Sequence, residues 1–177
     1  NESCPYTIDV SGPFWTSKRL FDITVGLALL IATAPIALLV AVLVLFDCGM
    51  PVIFWQMRIG RHGRRITIYK FRTLQAPYTA RGEVRPEDRR VSVIGRLLRL
   101  SHIDELPQLV SVVRGEMSFI GPRPLLPADI SSDANLRFAV RPGITGWAQV
   151  NGGTLLTVEE KNAMDEWYVR HASWKLE

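Results

Sequence analysis

Asp104 and Glu105 are adjacent carboxylates set between Ile103 and Leu106, immediately before the helical spacing Leu106, Leu109, Val110 and Val113. Ser101-x-x-Asp104 reads as a capping-box-like start, and Pro107 predicts helical hydrogen bonding that begins close to Asp104. Acids at a helix entry commonly satisfy free backbone donors and the helix dipole. The other chemistry open to the pair is phosphoryl transfer. Mg²⁺ takes one or two carboxylates together with substrate phosphate oxygens, and a carboxylate can also be the nucleophile that forms an acyl phosphate. Such chemistry needs cations for the spreading charge, and Arg96, Arg99, Arg123 and Arg141 stand in or beside the most patterned segments. Together these residues point to a diphosphate substrate. His62, His102 and His171 are too scattered for a metal triad, and without a Walker-type loop or G-x-G-x-x-G the sequence does not read as a nucleotide hydrolase or a Rossmann enzyme.

The elements that must position these groups begin with an uncharged run, Ile23 to Phe46, in which 20 of 24 residues are Ala, Val, Leu, Ile or Phe. It is too long for the apolar part of a signal peptide and too apolar all round for a core helix, and it suits a bilayer core of about 30 Å. Pro35 near its middle removes a backbone donor and demands a bend. Each half, about a dozen residues or roughly 18 Å, reaches the bilayer middle without crossing. Basic residues flank both ends, Lys18 and Arg19 before, Arg58, Arg61, Arg64 and Arg65 after. Two arrangements fit: a helix that re-enters on the side it left, and a kinked spanning helix.

After the run, Val52 to Trp55 and Ile66 to Tyr69 read as two strands of a hairpin around a basic, Gly-containing turn. Residues 75–90 read as a mobile loop. Val91 to Leu100 spaces Ile94, Leu97 and Leu98 along one helical face, with Arg96 and Arg99 at its border, a basic amphipathic helix suited to a membrane surface or to the core. Gly121-Pro122-Arg123-Pro124 and Arg141 to Trp147 hold rigid, non-repetitive backbone, and Val158 to Val169 closes the chain as an amphipathic helix.

With 177 residues, 47% hydrophobic and 21% charged, the chain is sized for about one domain with its own core. The formal charge is +4, and 17 of its 21 basic residues are Arg, whose fork suits bidentate contacts to carboxylate or phosphate. Cys4 and Cys48 form no metal pattern and imply a reducing compartment. Lys70-Phe71-Arg72 is basic and aromatic, but its tie to apolar helix faces and a membrane segment argues against nucleic acid.

Five motifs occur in order: Lys18-Arg19-x-x-Asp22, Lys70-Phe71-Arg72-Thr73, Asp104-Glu105-Leu106-Pro107-Gln108-Leu109, Met117 to Pro124, and Arg141 to Gly152. In this set the chain resembles the monotopic phosphoglycosyl transferases, the bacterial sugar transferase family, from about Ser17 to Trp174. The resemblance implies a Mg²⁺-dependent enzyme on the cytosolic face of a bacterial inner membrane. Its reaction would move a sugar 1-phosphate from a UDP-sugar to polyprenol (undecaprenyl) phosphate, release UMP and start a lipid-linked glycan or exopolysaccharide. It makes Asp104 the nucleophile and a Mg²⁺ contact, and Glu105 its acid/base partner. Arg99 and Arg123 become phosphate-binding candidates, and Arg141 and Gln149 candidates on the nucleotide side. The membrane helix would re-enter, broken at Ala34-Pro35.

The implied fold is α+β and mostly helical: an extension over 1–16, a re-entrant membrane helix over 17–47, and a cytosolic catalytic region over 48–177 with interfacial helices and a small hairpin. Membrane lipid is the implied partner, and homo-oligomerisation is left open. Three departures from the family pattern stand out: Ala34 where a Ser often precedes the proline, Leu100 where a basic residue often follows the Arg, and Gly153 where an Arg is common. The alternative from another class is a non-catalytic membrane scaffold that binds anionic lipid or a glycan-assembly partner.

Overall fold

The computed structural model describes residues 10, 12–78, 84, 86, 90–129 and 136–177. Most of the expected extension, Cys4 included, and the middle of the expected 75–90 loop lie outside them. The order is α1 (Pro13–Cys48), β1 (Ile53–Ile59), β2 (Arg65–Phe71), α2 (Val93–Leu100), α3 (Gln108–Arg114), β3 (Ser118–Ile120), β4 (Gly143–Thr145), α4 (Trp147–Val150) and α5 (Val158–His171), with short 3-10 turns between. The mixed helix and strand content agrees with the expected class, and β1 pairs with β2 as the expected hairpin. The chain divides into two compact units, one of Asn1–Leu27, Met57–Thr67 and Ser111–Glu177, the other of Ala28–Gln56 and Ile68–Val110.

The apolar run lies within α1, a helix of 36 residues and about 54 Å that continues through Pro35. Its hydroxyls are satisfied within the helix: Thr24 donates to the Leu20 carbonyl at 3.0 Å and Thr33 to that of Leu29 at 2.7 Å. Among the described residues it is the one helix long and apolar enough to cross a membrane.

In the unit of residues 28–56 and 68–110, Val40, Val44 and Cys48 of α1 form a core with Phe71 and Leu98. Asp47 secures the start of α2: Ser92 Oγ donates to Asp47 and accepts the Gly95 amide at 2.9 Å, so one hydroxyl links the end of α1 to the cap of α2. On α2 the inward residues are Ile94, Gly95 and Leu98. Leu97, expected on that face, is 61% exposed and shares an outward apolar strip with Val93 and Leu100 at the i, i+4, i+7 spacing.

In the other unit, Lys18, Asp22 and Gly26 form the buried i, i+4, i+8 strip of α1. Asp22 accepts Ser118 Oγ at 2.8 Å and the Phe119 amide at 3.3 Å. Arg19 closes the end of α3 by donating to the Val112 and Val113 carbonyls at 2.6 and 2.8 Å. Lys18 pairs with Glu177, both buried. The Lys-Arg-x-x-Asp motif therefore fastens the helix to folded chain. The second Gly- and Pro-dense segment, expected to be irregular, contributes β4, which pairs in parallel with β3 just before the first such segment, Ser118 opposite Gly143 and Ile120 opposite Thr145. Glycine permits this approach: a Cβ on Gly143 would lie 2.2 Å from the Gly121 nitrogen, and one on Gly146 2.1 Å from the Gly121 oxygen. Thr157 and Glu160 start α5 with a reciprocal capping box. Its Tyr168 and Val169 pack with Leu136, Ala139 and Val140 in this unit's core.

Candidate active site

Asp104 lies in a 3-10 turn, Ile103–Glu105, entered through His102 in the left-handed conformation at φ 56° and ψ 15°. That reversal corrects the expected capping box. Ser101 ends α2, its hydroxyl donating back to the Leu97 carbonyl at 2.8 Å, so it does not open the next helix. The regular part of α3 starts at Gln108, after Pro107, and the bonds before it are the tight kind: Glu105 to His102 at 3.1 Å and Leu106 to Ile103 at 3.2 Å. Asp104 is thus carried on a short rigid turn between two helices, and only 8% of its surface is exposed.

Glu105 is paired with Lys70, which arrives from the end of β2. Three residues after Lys70, the buried Thr73 hydroxyl accepts Arg99 Nε at 2.9 Å. The contact depends on Gly95 one helical turn earlier, where a Cβ would come within 2.4 Å of the Thr73 carbonyl. The Lys-Phe-Arg-Thr segment therefore lies close against α2, with Arg99 fixed over Thr73. Among the described residues the Asp104 carboxylate takes no side-chain hydrogen bond or ion pair. Burial lifts its pKa above the ordinary carboxylate value; Lys70 opposes this most, Glu105 adds to it, and His102 and Arg99 pull it down. The Asp104 carboxylate is thus partly desolvated, with Lys70, His102 and Arg99 favouring its charged form.

The expected members Asp104, Glu105 and Arg99 share this unit. Lys70, Thr73 and His102 join them, although Lys70 and Thr73 entered the sequence reading only as members of a motif and His102 only as a scattered histidine. Their signal was the short Lys-x-x-Thr interval. Arg123, Arg141 and Gln149 belong to the other unit. There Arg123 is exposed, and its charge helps burial hold the neighbouring Arg58 guanidinium below its usual pKa. Arg141 Nε donates to the Gly115 carbonyl at 2.9 Å; burial lowers its pKa, with Arg19 and Arg61 adding to the shift. Gln149 has its amide nitrogen and oxygen buried with no partner among the described residues, the signature of a group left for a ligand or water.

No three His, Cys, Asp or Glu side chains converge as a metal cage among the described residues. The donor set at the turn is one unpaired carboxylate, Asp104, next to a Glu105 already held by Lys70. That composition fits Mg²⁺, which takes few protein ligands and completes its shell with phosphate and water oxygens.

A family model described as "Bacterial sugar transferase" matches residues 14–177. The chain is 44% identical over 164 residues to the "Uncharacterized sugar transferase EpsL" of Bacillus subtilis (strain 168), covering 90% of this chain and 81% of that protein. It is 40% identical over 176 residues to the "Undecaprenyl-phosphate glucose phosphotransferase" of Komagataeibacter xylinus, covering 90% of this chain and 33% of that one. It is 35% identical over 181 residues to the "UDP-glucose:undecaprenyl-phosphate glucose-1-phosphate transferase" of Escherichia coli (strain K12), covering 95% and 39%. The chain thus spans about four fifths of the first relative but well under half of the other two.

Proposed function

The chain belongs to the bacterial sugar transferase family, and we propose that it transfers a sugar 1-phosphate from a UDP-sugar to undecaprenyl phosphate, releasing UMP. The observation that carries this reading is Asp104: a buried carboxylate on a rigid turn, without a side-chain partner among the described residues, beside the Lys70–Glu105 pair and Arg99. An Asp104 oxygen attacks the β-phosphorus of the donor. The bond from that phosphorus to the bridging oxygen breaks, and its electron pair leaves with UMP, giving an aspartyl phosphosugar. An oxygen of the lipid phosphate then attacks the same phosphorus and returns the Asp104 carboxylate. Glu105, oriented by the Lys70 ammonium, accepts the remaining proton of the incoming phosphate. Arg99, fixed on Thr73 in the same unit, is assigned to phosphate oxygens. Mg²⁺ contacting Asp104 would neutralise charge on the diphosphate. The named relatives support this acceptor and leave the sugar open.

The reading places the enzyme at the cytosolic face of a bacterial inner membrane, with α1 re-entering through a bend at Pro35 inside a helix that is not interrupted there. Support comes from how α1 is packed. Its early part is buried at Lys18, Asp22 and Gly26, and its late part at Val40, Val44 and Cys48. Residues 27–36 between these stretches carry no buried residue, and ten residues of helix cover about 15 Å, half a bilayer core. Labelling Ser17→Cys and Met50→Cys variants in sealed vesicles with an impermeant reagent is expected to modify both from one side; modification from opposite sides would establish a span. The activity itself is tested by mixing the protein with Mg²⁺, undecaprenyl phosphate and individual UDP-sugars and measuring UMP. Release of UMP with at least one donor is expected, and lipid binding without turnover on any donor would favour a scaffold.

A further inference from the structure

The unit that carries Asp104 also contains an open slot of ≈ 250 Å³ lined by Pro51, Ile53, Phe54, Trp55 and Arg72. Phe54 and Trp55, consecutive in β1, both line it and are 48% and 59% exposed. A lone exposed apolar side chain is ordinary, but four apolar residues lining one concavity mark a binding surface. The slot begins at Pro51, three residues past the end of α1, whose last turns expose Val42, Leu43, Leu45 and Phe46. Only four residues, Asp47 to Met50, separate those exposed apolar turns from the slot.

Its one charged lining residue is Arg72. Nε donates to the Leu74 carbonyl at 2.8 Å and Nη1 to that of Met50 at 3.0 Å, which fixes the guanidinium and leaves further N–H donors on its fork. Arg72 stands two residues after Lys70, the partner of Glu105. In extended chain that interval is about 6.6 Å, short enough to put an anion held by Arg72 next to the reaction turn. An apolar slot ending in a fixed cation matches an anionic amphiphile. A peptide would bring backbone polar groups that this lining cannot satisfy. The volume is below the roughly 300–1,000 Å³ of a pocket for a whole drug-sized ligand, which suits a segment of a long chain with the rest lying outside.

We propose that this slot receives the isoprenoid chain of the acceptor lipid phosphate, with Arg72 holding a phosphate oxygen. The proposal rests on the transferase reading above.

The test uses the full chain in detergent micelles, with Ile53→Ala and Trp55→Ala variants and undecaprenyl phosphate as the varied substrate. KM for undecaprenyl phosphate should rise about ten-fold or more while kcat stays within about two-fold, as expected when contact area used only in binding is removed. Formation of the sugar-phosphate adduct without acceptor should be unchanged, and Trp55→Phe should recover most of the affinity. If Ile53→Ala lowers the melting temperature, Trp55→Ala decides alone, since its exposed side chain is no part of the core. Three results would overturn the proposal: an unchanged KM for the acceptor, an equal loss of adduct formation, or weaker flotation with polyprenol-free vesicles at unchanged KM, which would assign the slot to bulk lipid. A wild-type protein that forms neither adduct nor product would instead defeat the transferase reading.

Discussion

Asp104→Asn is expected to abolish the covalent sugar-phosphate adduct and to lower turnover by about 10⁴-fold or more, the scale seen when a nucleophile acting as part of a unit is removed. The substitution keeps the volume of the turn and replaces a charged oxygen with an amide that does not attack phosphorus. The fold should not suffer. The Asp104 carboxylate is already disfavoured by burial, so a neutral side chain there relieves a desolvation cost. Intact mass after mixing with single UDP-sugars reads the adduct, and a melting curve reads the fold. Adduct formation at the wild-type level would refute the assignment of the nucleophile. Glu105→Gln should act more mildly on this first step, because in the proposed sequence its proton transfer belongs to the second.

The same carboxylate sets the acid limb of the pH profile. Attack needs the ionised form, and burial raises the folded pKa above the ordinary aspartate value of about 3.9, so the burst of UMP should fail on acidification earlier than it would for a free carboxylate. Lys70 is the largest influence in the opposite direction. Lys70→Met removes that cation and leaves the Glu105 charge uncompensated, and both changes move the limb to higher pH. Lys70→Arg keeps the charge and should leave the limb near its original place. Single-turnover UMP release across pH makes the comparison, and a limb unmoved in Lys70→Met would contradict the electrostatic role given to the pair.

Local pattern was enough for α1, the hairpin, α2 and α5, because each has a period or a cap long enough to read. The start of α3 was misassigned for a physical reason. Ser101-x-x-Asp104 has the residue types of a capping box, but His102 adopts a left-handed conformation uncommon for a non-glycine residue and turns Ser101 into the end of α2. The β3–β4 pair escaped because three-residue strands carry no alternation. What permits the pairing is the missing Cβ at Gly143 and Gly146, which in sequence looks like any turn. Asp104, Glu105 and Arg99 were legible from chemistry and spacing. The Lys70–Glu105 pair joins residues 35 apart and depends on where β2 ends, and the Arg99–Thr73 contact depends on Gly95 letting two backbones meet. Long-range juxtaposition of this kind is set by packing, which composition and period do not encode.

Asp165→Ala is expected to destabilise its unit by about 3–5 kcal/mol at neutral pH, the cost of stranding a buried charge. Arg137 and Asp165 are 5% and 2% exposed with a 2.8 Å contact. The guanidinium also donates to Asn162 Oδ1 at 2.6 Å and to the Arg123 carbonyl at 2.8 Å. Loss of the carboxylate would leave that cation to two neutral acceptors. Replacing both partners by apolar residues, Arg137→Met with Asp165→Leu, should recover much of the loss, because the desolvation cost leaves with the charges. Acidity separates the charge from the packing. Burial pushes the Asp165 carboxyl up to about 6, Arg137 pulling the other way, while the unfolded chain titrates near 3.9. The folded state thus holds the extra proton between those values, and this group's stabilising contribution is complete below about pH 4 and lost as pH rises through about 6. Melting temperatures of the wild type should therefore gain on those of Asp165→Asn as pH falls from about 6 to 4, since the amide does not titrate; parallel curves would refute the shift.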